Sequence, residues 1–435
     1  MKTPIADFVR RYAALDIARL HMPGHKGNPL FPLGCERLDI TEVAGTEGLI
    51  EESEANAAAL FGSAATLYAT GGASQCVRAM VYLALLGRPA GTPPLLLAAR
   101  NAHKSFLYAA ALCGAEVVWL FGEDRASLCE CKITPEALER ALQSLSAPPA
   151  GVYVTSPDYL GNLADIAGLS AVCEKYDAPL LVDNAHGAYL KFLPRSLHPL
   201  DLGAAACCDS AHKTLPALTG GAYLHISRKA PPAFPENARA ALDLFGSTSP
   251  SWLTLASLDL CGRALAEGFP ARLAETVSRL EALRAELRAK GWQVGDSDPL
   301  RLTLRGEGRD IAARLRAGGV EPEYADRDFC VLMASPDTPP ADLSRAAAAL
   351  GRNGRPIPPL PSLPPGKCER VCSIREALLS PRERVPASAA VGRICGAPAV
   401  SCPPAVPVAA AGERVSAETA ALLDYYGIGE IEVLK

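Results

Sequence analysis

Lys213 closes the stretch CCDSAHK, where an apolar run, Leu202 to Cys208, gives way abruptly to small polar residues. A run of this kind reads as a buried parallel strand opening onto a loop. The carboxyl ends of such strands are where open α/β sheets bind ligands. An amine with an apolar strand behind it and Ser210 and His212 beside it can lose its proton and form a Schiff base with an aldehyde cofactor. A solvated loop lysine remains the plainer reading of Lys213 taken alone. About thirty residues upstream a second apolar run, Pro179 to Val182, ends on Asp183, with His186 and Gly187 just beyond. A carboxylate at a strand end can supply the anion that pyridoxal phosphate requires at its ring nitrogen. An Asp closing one strand and a Lys following the next would face one crevice. The alternative for Asp183 is the cap of a following helix.

Two further stretches carry chemistry of the same kind. Gly71, Gly72, Ala73 and Ser74 precede the apolar helical run that ends at Leu86. Free backbone N–H groups and a serine hydroxyl at a helix N-terminus bind phosphate, although Gly-rich turns are also common for packing alone. His103 follows the strand-like Leu95 to Ala99, where a flat imidazole can stack on a cofactor ring or else cap the next helix. Lys26 and Lys104 are rival lysines. No buried strand precedes Lys26, and Lys213 explains Asp183 better than Lys104 does.

The segments LHMPGHKG, TEVAGTEG, YATGGASQ, RNAHKS, VDNAHGAY, DSAHKTLPALT, STSPSW and PRERVPASAAVGRI occur in one order along most of the chain. In them the chain resembles the ornithine/lysine/arginine decarboxylases, a family of pyridoxal-phosphate enzymes, in the compact form without a receiver-like wing. The resemblance implies an α/β fold like that of aspartate aminotransferase, with a large cofactor domain on a mostly parallel, doubly wound sheet and a smaller C-terminal α/β domain. It implies a homodimer or higher homo-oligomer with shared active sites, His103 stacked on the ring, and a cofactor shell that includes Ser74, Ala73, Ala185, Ser210 and His212. Thr248 or a neighbour would reach the cofactor phosphate of the other subunit. The chain departs from the family at Ala73, where a hydroxyl is more usual, at Asn184, commonly acidic, and at SCPPAVPVAAAGE, where a Tyr-Pro-Pro-Gly segment is usual.

The expected reaction is decarboxylation of arginine, lysine or ornithine to an amine of polyamine metabolism. Lys213 holds the cofactor and Asp183 keeps its ring nitrogen protonated, so electrons from the broken Cα–carboxylate bond flow into the ring. Either His212 or Lys213 returns a proton to Cα. His186 orients Asp183 or approaches the substrate carboxylate. An aminotransferase, a lyase using the same cofactor, or a non-catalytic member of the family are the alternatives. A cationic side chain calls for an acidic pocket, with Asp158, Asp209, Glu42 and Glu47 as candidates.

Composition is consistent with this. The net charge of −4 gives no electrostatic reason to expect nucleic acid. No apolar stretch approaches the roughly 18 to 20 residues of a membrane span, and the charged N-terminus lacks the apolar core of a signal peptide, so a cytoplasmic protein is expected. The 14 cysteines are scattered, often in apolar runs, as small hydrophobes of a reducing compartment. The Cys129-x-Cys131 and Cys368-x3-Cys372 pairs lack companion ligands, so no metal is expected.

The elements that must position these residues alternate strand and helix, the pattern of a parallel sheet. Residues 3–19 are expected to form an amphipathic helix, Glu51 to Phe61 a second, and Pro135 to Leu145 a third. Ser247, Thr248 and Ser249 before Pro250 read as a helix start. Arg263 to Lys290 reads as one long helix leading into a small α/β layer. The expected division is an N-terminal helix and arm at 1–30, a cofactor domain at 31–265 and a C-terminal domain at 266–435, with a proline-rich crossing segment at about 355–366.

Overall fold

The structure, a computed structural model, describes residues 18–20, 48–122, 126–295, 298–357, 359–360, 363, 367–400 and 403–435. In chain order its first part comprises β1 (Ala18–Leu20), α1 (Leu49–Phe61), β2 (Ala65–Ala69), α2 (Ala73–Leu86), β3 (Leu95–Ala99), α3 (Lys104–Cys113), β4 (Glu116–Leu120), α4 (Pro135–Gln143) and β5 (Gly151–Thr155). There follow α5 (Ile166–Lys175), β6 (Leu180–Asp183), β7 (Ala206–Asp209), the single turn α6 (Ala211–Thr214), β8 (Ala222–Ile226) and α7 (Ala233–Leu244). Seven strands form one sheet in the order β2-β8-β7-β6-β5-β3-β4. The ladders among β3, β4, β5, β6 and β7 are parallel, while β8 runs antiparallel to both β2 and β7.

Side-chain alternation along the strands supplies both faces of this sheet with core. On β6, Leu181 joins the cluster built with α2, α3 and α7, whereas Leu180 and Val182 join the one built with α4 and α5. Cys208 and Cys207 divide in the same way on β7. Every residue of β6 and β7 is buried, which is why both read as continuous apolar runs ending on a carboxylate. The β7 strand is shorter than expected: Leu202 and Gly203 precede it in a turn, and Ala206–Asp209 alone pair with β6 and β8.

The expected long helix at Arg263 to Lys290 is two helices, α8 (Trp252–Ala266) and α9 (Phe269–Ala289), broken where Gly268 takes φ +94°. That backbone conformation suits glycine and ends the α8 register. The start of α8 is capped by Ser251, whose hydroxyl accepts the Thr254 N–H, rather than by the Ser247–Ser249 run. Beyond α9 come β9 (Gln293–Val294), β10 (Arg301–Arg305), α10 (Gly308–Ala317), β11 (Val320–Pro322), β12 (Tyr324–Ala325), β13 (Phe329–Met333) and α11 (Pro340–Leu350). A four-stranded sheet in the order β12-β13-β10-β9 packs here, and β11 pairs in parallel with β1. Arg284 of α9, in a helix whose charges read as solvent-facing, is fully buried and donates to the carbonyls of Asp298, Pro299 and Arg301. It thereby fixes the entry to β10.

The chain ends with α12 (Ile374–Leu379), β14 (Arg382–Pro386), β15 (Ala399–Val400), β16 (Pro407–Ala409), α13 (Ala417–Tyr425) and β17 (Glu430–Leu434). The expected helix at 3–19 falls largely outside the described residues, and Ala18 and Arg19 lie in β1. Only part of the proline-rich 355–366 segment is described.

Candidate active site

The carboxyl ends of β3, β5, β6 and β7 open onto a cavity of about 530 Å³. Strand order reverses between β3 and β5, the position where crevices form in doubly wound sheets. Nine of the sequence candidates, Ala73, Ser74, His103, Asp183, Ala185, His186, Ser210, His212 and Lys213, line this one cavity. Thr248 does not: it is exposed on the connection between α7 and α8. Lys26, Glu42 and Glu47 lie outside the described residues, and Lys104 is absent from the lining.

Lys213 sits in α6, the turn that begins as soon as β7 ends, with its backbone N–H on the Ser210 carbonyl at 3.0 Å. Its Nζ lies 2.8 Å from His186 Nε2. Loss of solvent around the amine lowers its pKa, against the opposing pull of Glu323 and Asp183. Burial, then the Lys213 charge, drives the His186 pKa well below its usual value. A neutral His186 accepts from Lys213, and its buried Nδ1 has no hydrogen-bond partner among the described residues. His186 therefore contacts Lys213, where orientation of Asp183 was one of the expected roles.

Asp183, at the tip of β6, accepts the Tyr153 hydroxyl at Oδ2, 2.9 Å, and the Ala185 N–H at Oδ1, 3.1 Å. No regular α-helix follows for it to cap. Tyr153 is held in turn by Phe106, ring centroids 4.3 Å apart. Burial raises its phenol well above the usual range, so it stays a donor. Beneath the site, Asn184 Nδ2 donates to Asp209 Oδ1 at 2.6 Å, and His198 and His225 approach Asp209 Oδ2 through Nε2 at 3.0 and 3.1 Å. Burial by itself would raise the Asp209 carboxyl, but the two histidines outweigh it and hold the group ionised. Asp209 thus ties the turn carrying Asp183 to the turn carrying Lys213, and it does not reach the cavity.

His103 is both cap and wall. Its Nδ1 accepts the Ser105 N–H at 3.1 Å at the start of α3, while the ring lines the cavity. Burial pulls its pKa down to about 4, so the ring is neutral. At the other end stand Gly72, Ala73 and Ser74 at the start of α2, with Ser210 and His212 also in the lining. Gly72 takes φ +72° with open space where a Cβ would project. The Gly71 N–H is already used by Gln75 Oε1, 3.0 Å. His212 Nδ1 donates to the Gly221 carbonyl at 2.9 Å.

Pyridoxal phosphate fits the residues present. An amine and a carboxylate at adjacent strand ends share the cavity, a neutral imidazole offers a flat face, a helix N-terminus with Ser74 stands ready for an anion, and the buried Thr155 Oγ1 in the lining has no partner among the described residues. Against known proteins, the model of the Orn/Lys/Arg decarboxylase major domain matches residues 27–304. The chain belongs to the Orn/Lys/Arg decarboxylase family. It is accordingly a pyridoxal-phosphate-dependent decarboxylase of a basic amino acid. The uncharacterized protein YaaO of Bacillus subtilis is 29% identical over 96% of this chain and 93% of its own length. An arginine decarboxylase of Bacillus subtilis is 26% identical over 96% and 92% respectively. The E. coli constitutive lysine decarboxylase shares the fold, with a TM-score of 0.71 at 18% identity over 100% of this chain and 82% of its own.

Two parts of the cavity wall, and one buried partner of Asp183, escaped the sequence. Tyr153 was read only as strand, and its pairing with Asp183 depends on the β5–β6 register, in which Thr155 lies opposite Asp183. Pro403 to Val406, in the segment that departs from the family pattern, line the cavity from far along the chain, and the Ala405 carbonyl takes the Lys104 N–H at 2.8 Å. Glu323, just after β11, reaches it from the second sheet's side. Of the acidic candidates, Asp158 lines the cavity but folds its carboxylate onto Leu160 N and the Asn162 backbone and side-chain nitrogens at 2.8–2.9 Å; burial, outweighing these bonds, pushes its pKa up to about 6.

Proposed function

We propose that this decarboxylase acts on arginine, lysine or ornithine in the cytoplasm, as a homodimer or larger homo-oligomer, releasing carbon dioxide and an amine of polyamine metabolism. The observation that carries the reading is the convergence of Lys213, Asp183 and His103 on one cavity at the sheet's switch point. Lys213 would hold the cofactor's aldehyde carbon, Asp183 its ring nitrogen and His103 one ring face. Ser74, the Ala73 backbone, Ser210 and His212 would hold the phosphate, with Ala185 beside the ring and Thr248 contributed by a second copy. The cofactor supplies a conjugated electron sink that accepts the pair left when the Cα–carboxylate bond breaks.

The protein's own part is protonic and steric. Burial lowers the pKa of the Lys213 amine, the direction that bond formation with an aldehyde requires. The Tyr153 hydroxyl and the Ala185 N–H both donate to Asp183 and aim its side chain. His186, neutral and 2.8 Å from Lys213 Nζ, accepts a hydrogen bond that aims the amine, and Lys213 itself would return a proton to Cα. His212 is turned to the Gly221 carbonyl through Nδ1, which suits it to anchor an anion more than to shuttle a proton.

The test is the purified holoenzyme with each of the three amino acids, read as carbon dioxide and amine released. Lys213→Ala is expected to lose the near-visible cofactor absorbance and at least a thousandfold in rate. Release of a keto acid without carbon dioxide, or unchanged absorbance in Lys213→Ala, would overturn the proposal.

A further inference from the structure

We infer that the buried ion pair between Arg100 and Glu413 latches residues 403–406 in place as a wall of the cavity, which makes this distant stretch a positioning part of the substrate site. The inference deepens the decarboxylase reading above and rests on it. Arg100 follows β3 directly, and Glu413 lies between β16 and α13, 313 residues further on. Arg100 Nη2 donates to Glu413 Oε2 at 2.8 Å and to the Val408 carbonyl at 3.3 Å, and both side chains are buried. The same Glu413 oxygen accepts the Ala410 N–H at 2.8 Å. The guanidinium also lies 5.0 Å from the centre of the Trp119 ring on β4.

Two core clusters meet along this stretch: Val406 and Val408 pack with the C-terminal elements, while Ala410 and Ala411 pack with α2, α3 and α7. On the cavity side the Ala405 carbonyl accepts the Lys104 N–H at 2.8 Å, one residue past His103. Residues 100–104 thus carry both the His103 ring of the lining and the attachment points of the wall. Ala405 takes φ +59°, which an alanine keeps only where its surroundings over-determine it. Those surroundings are the Lys104 bond at Ala405 and the Arg100 bond at Val408. A buried ion pair adds little net stability over apolar packing, because desolvating both charges offsets their attraction. Its effect is positional: any placement of the segment other than this one leaves a buried charge unmatched. The wall so fixed presents Pro403, Pro404, Ala405 and Val406, side chains with no polar group, so it acts on a substrate by enclosing it. Enclosure favours the bound and the reacting substrate alike, which puts the effect in KM rather than kcat.

The test compares wild-type, Glu413→Gln and Glu413→Asp holoenzymes by amide hydrogen exchange and by steady-state kinetics with the amino acid that the wild type turns over best. Glu413→Gln keeps the shape of the side chain and an acceptor for the Ala410 N–H but removes the charge. It is expected to speed exchange about tenfold or more in peptides covering residues 100–106 and 403–412, with the β6 peptide 178–185 unchanged. KM should rise about five- to tenfold while kcat stays within about threefold. Glu413→Asp keeps the charge on a shorter stem and should move both readouts the same way by less; it carries the test if Glu413→Gln does not fold. Unchanged exchange at 100–106 overturns the latch, as does faster exchange throughout the chain or a fall in kcat at constant KM. A wild type that releases carbon dioxide from none of arginine, lysine and ornithine sinks the decarboxylase reading and the wall's part in it, and the exchange result then decides the latch by itself.

Discussion

Acidification of the cofactor-free protein should expose the cost of charging His103. The unfolded chain titrates this histidine near 6.5, the folded protein at about 4. Between those values the unfolded state binds a proton that the native state refuses, so stability falls as pH drops through 6.5 and continues to fall toward 4. The geometry gives the same sign independently, because Nδ1 accepts the Ser105 N–H and cannot do so protonated. The loss on going from pH 8 to pH 5 is about 2 kcal/mol, or about 30-fold in the folding equilibrium. His186 and His225 shift in the same direction, so the wild type alone does not isolate the effect. The assay is therefore a difference: urea midpoints of apo wild type and His103→Gln at pH 8, 7, 6 and 5. Wild type should lose about 2 kcal/mol more than the variant over that range. Parallel pH profiles, or a steeper profile in the variant, would refute the claim that His103 is held neutral by its site.

Tyr153→Phe removes one of the donors on a buried carboxylate, a contact worth about 1.5–3 kcal/mol. With cofactor saturating, kcat should fall about tenfold or more while far-ultraviolet circular dichroism is unchanged; full activity would show that the hydroxyl does not tune Asp183. Asp209→Asn should lower stability by about 3–5 kcal/mol, since His198, His225 and Asn184 all lose their buried ionised acceptor. Chemical denaturation measures that loss, and a change under about 1 kcal/mol would show that the network is not held by charge.

Much of the cavity wall at the strand ends was legible because its logic is local. A buried parallel strand must be apolar throughout and must end where polar residues begin, so β6 ending at Asp183 and β7 leading to Lys213 declare themselves in short windows of sequence. Glycines before an apolar helix mark the start of α2 in the same way. Where several local forces compete, the reading was less exact. Gly268 splits a continuous amphipathic pattern into α8 and α9, and Arg284 is buried in a helix whose charges look solvated, because carbonyls beyond the next turn satisfy it.

The chain's own order of residues thus determined that a lysine and an aspartate emerge from neighbouring strands, with an imidazole and a helix N-terminus nearby. Tertiary structure alone decided which side chains meet them. Tyr153 finds Asp183 only through the β5–β6 register, Asp209 gathers histidines 11 and 16 residues away and Asn184 25 residues away, and Tyr159 meets Glu323 across 164 residues. Such pairings leave no periodicity or spacing to read, because a hydrogen bond or ion pair depends on distance in space, and only the packing of the two sheets and their loops sets that distance.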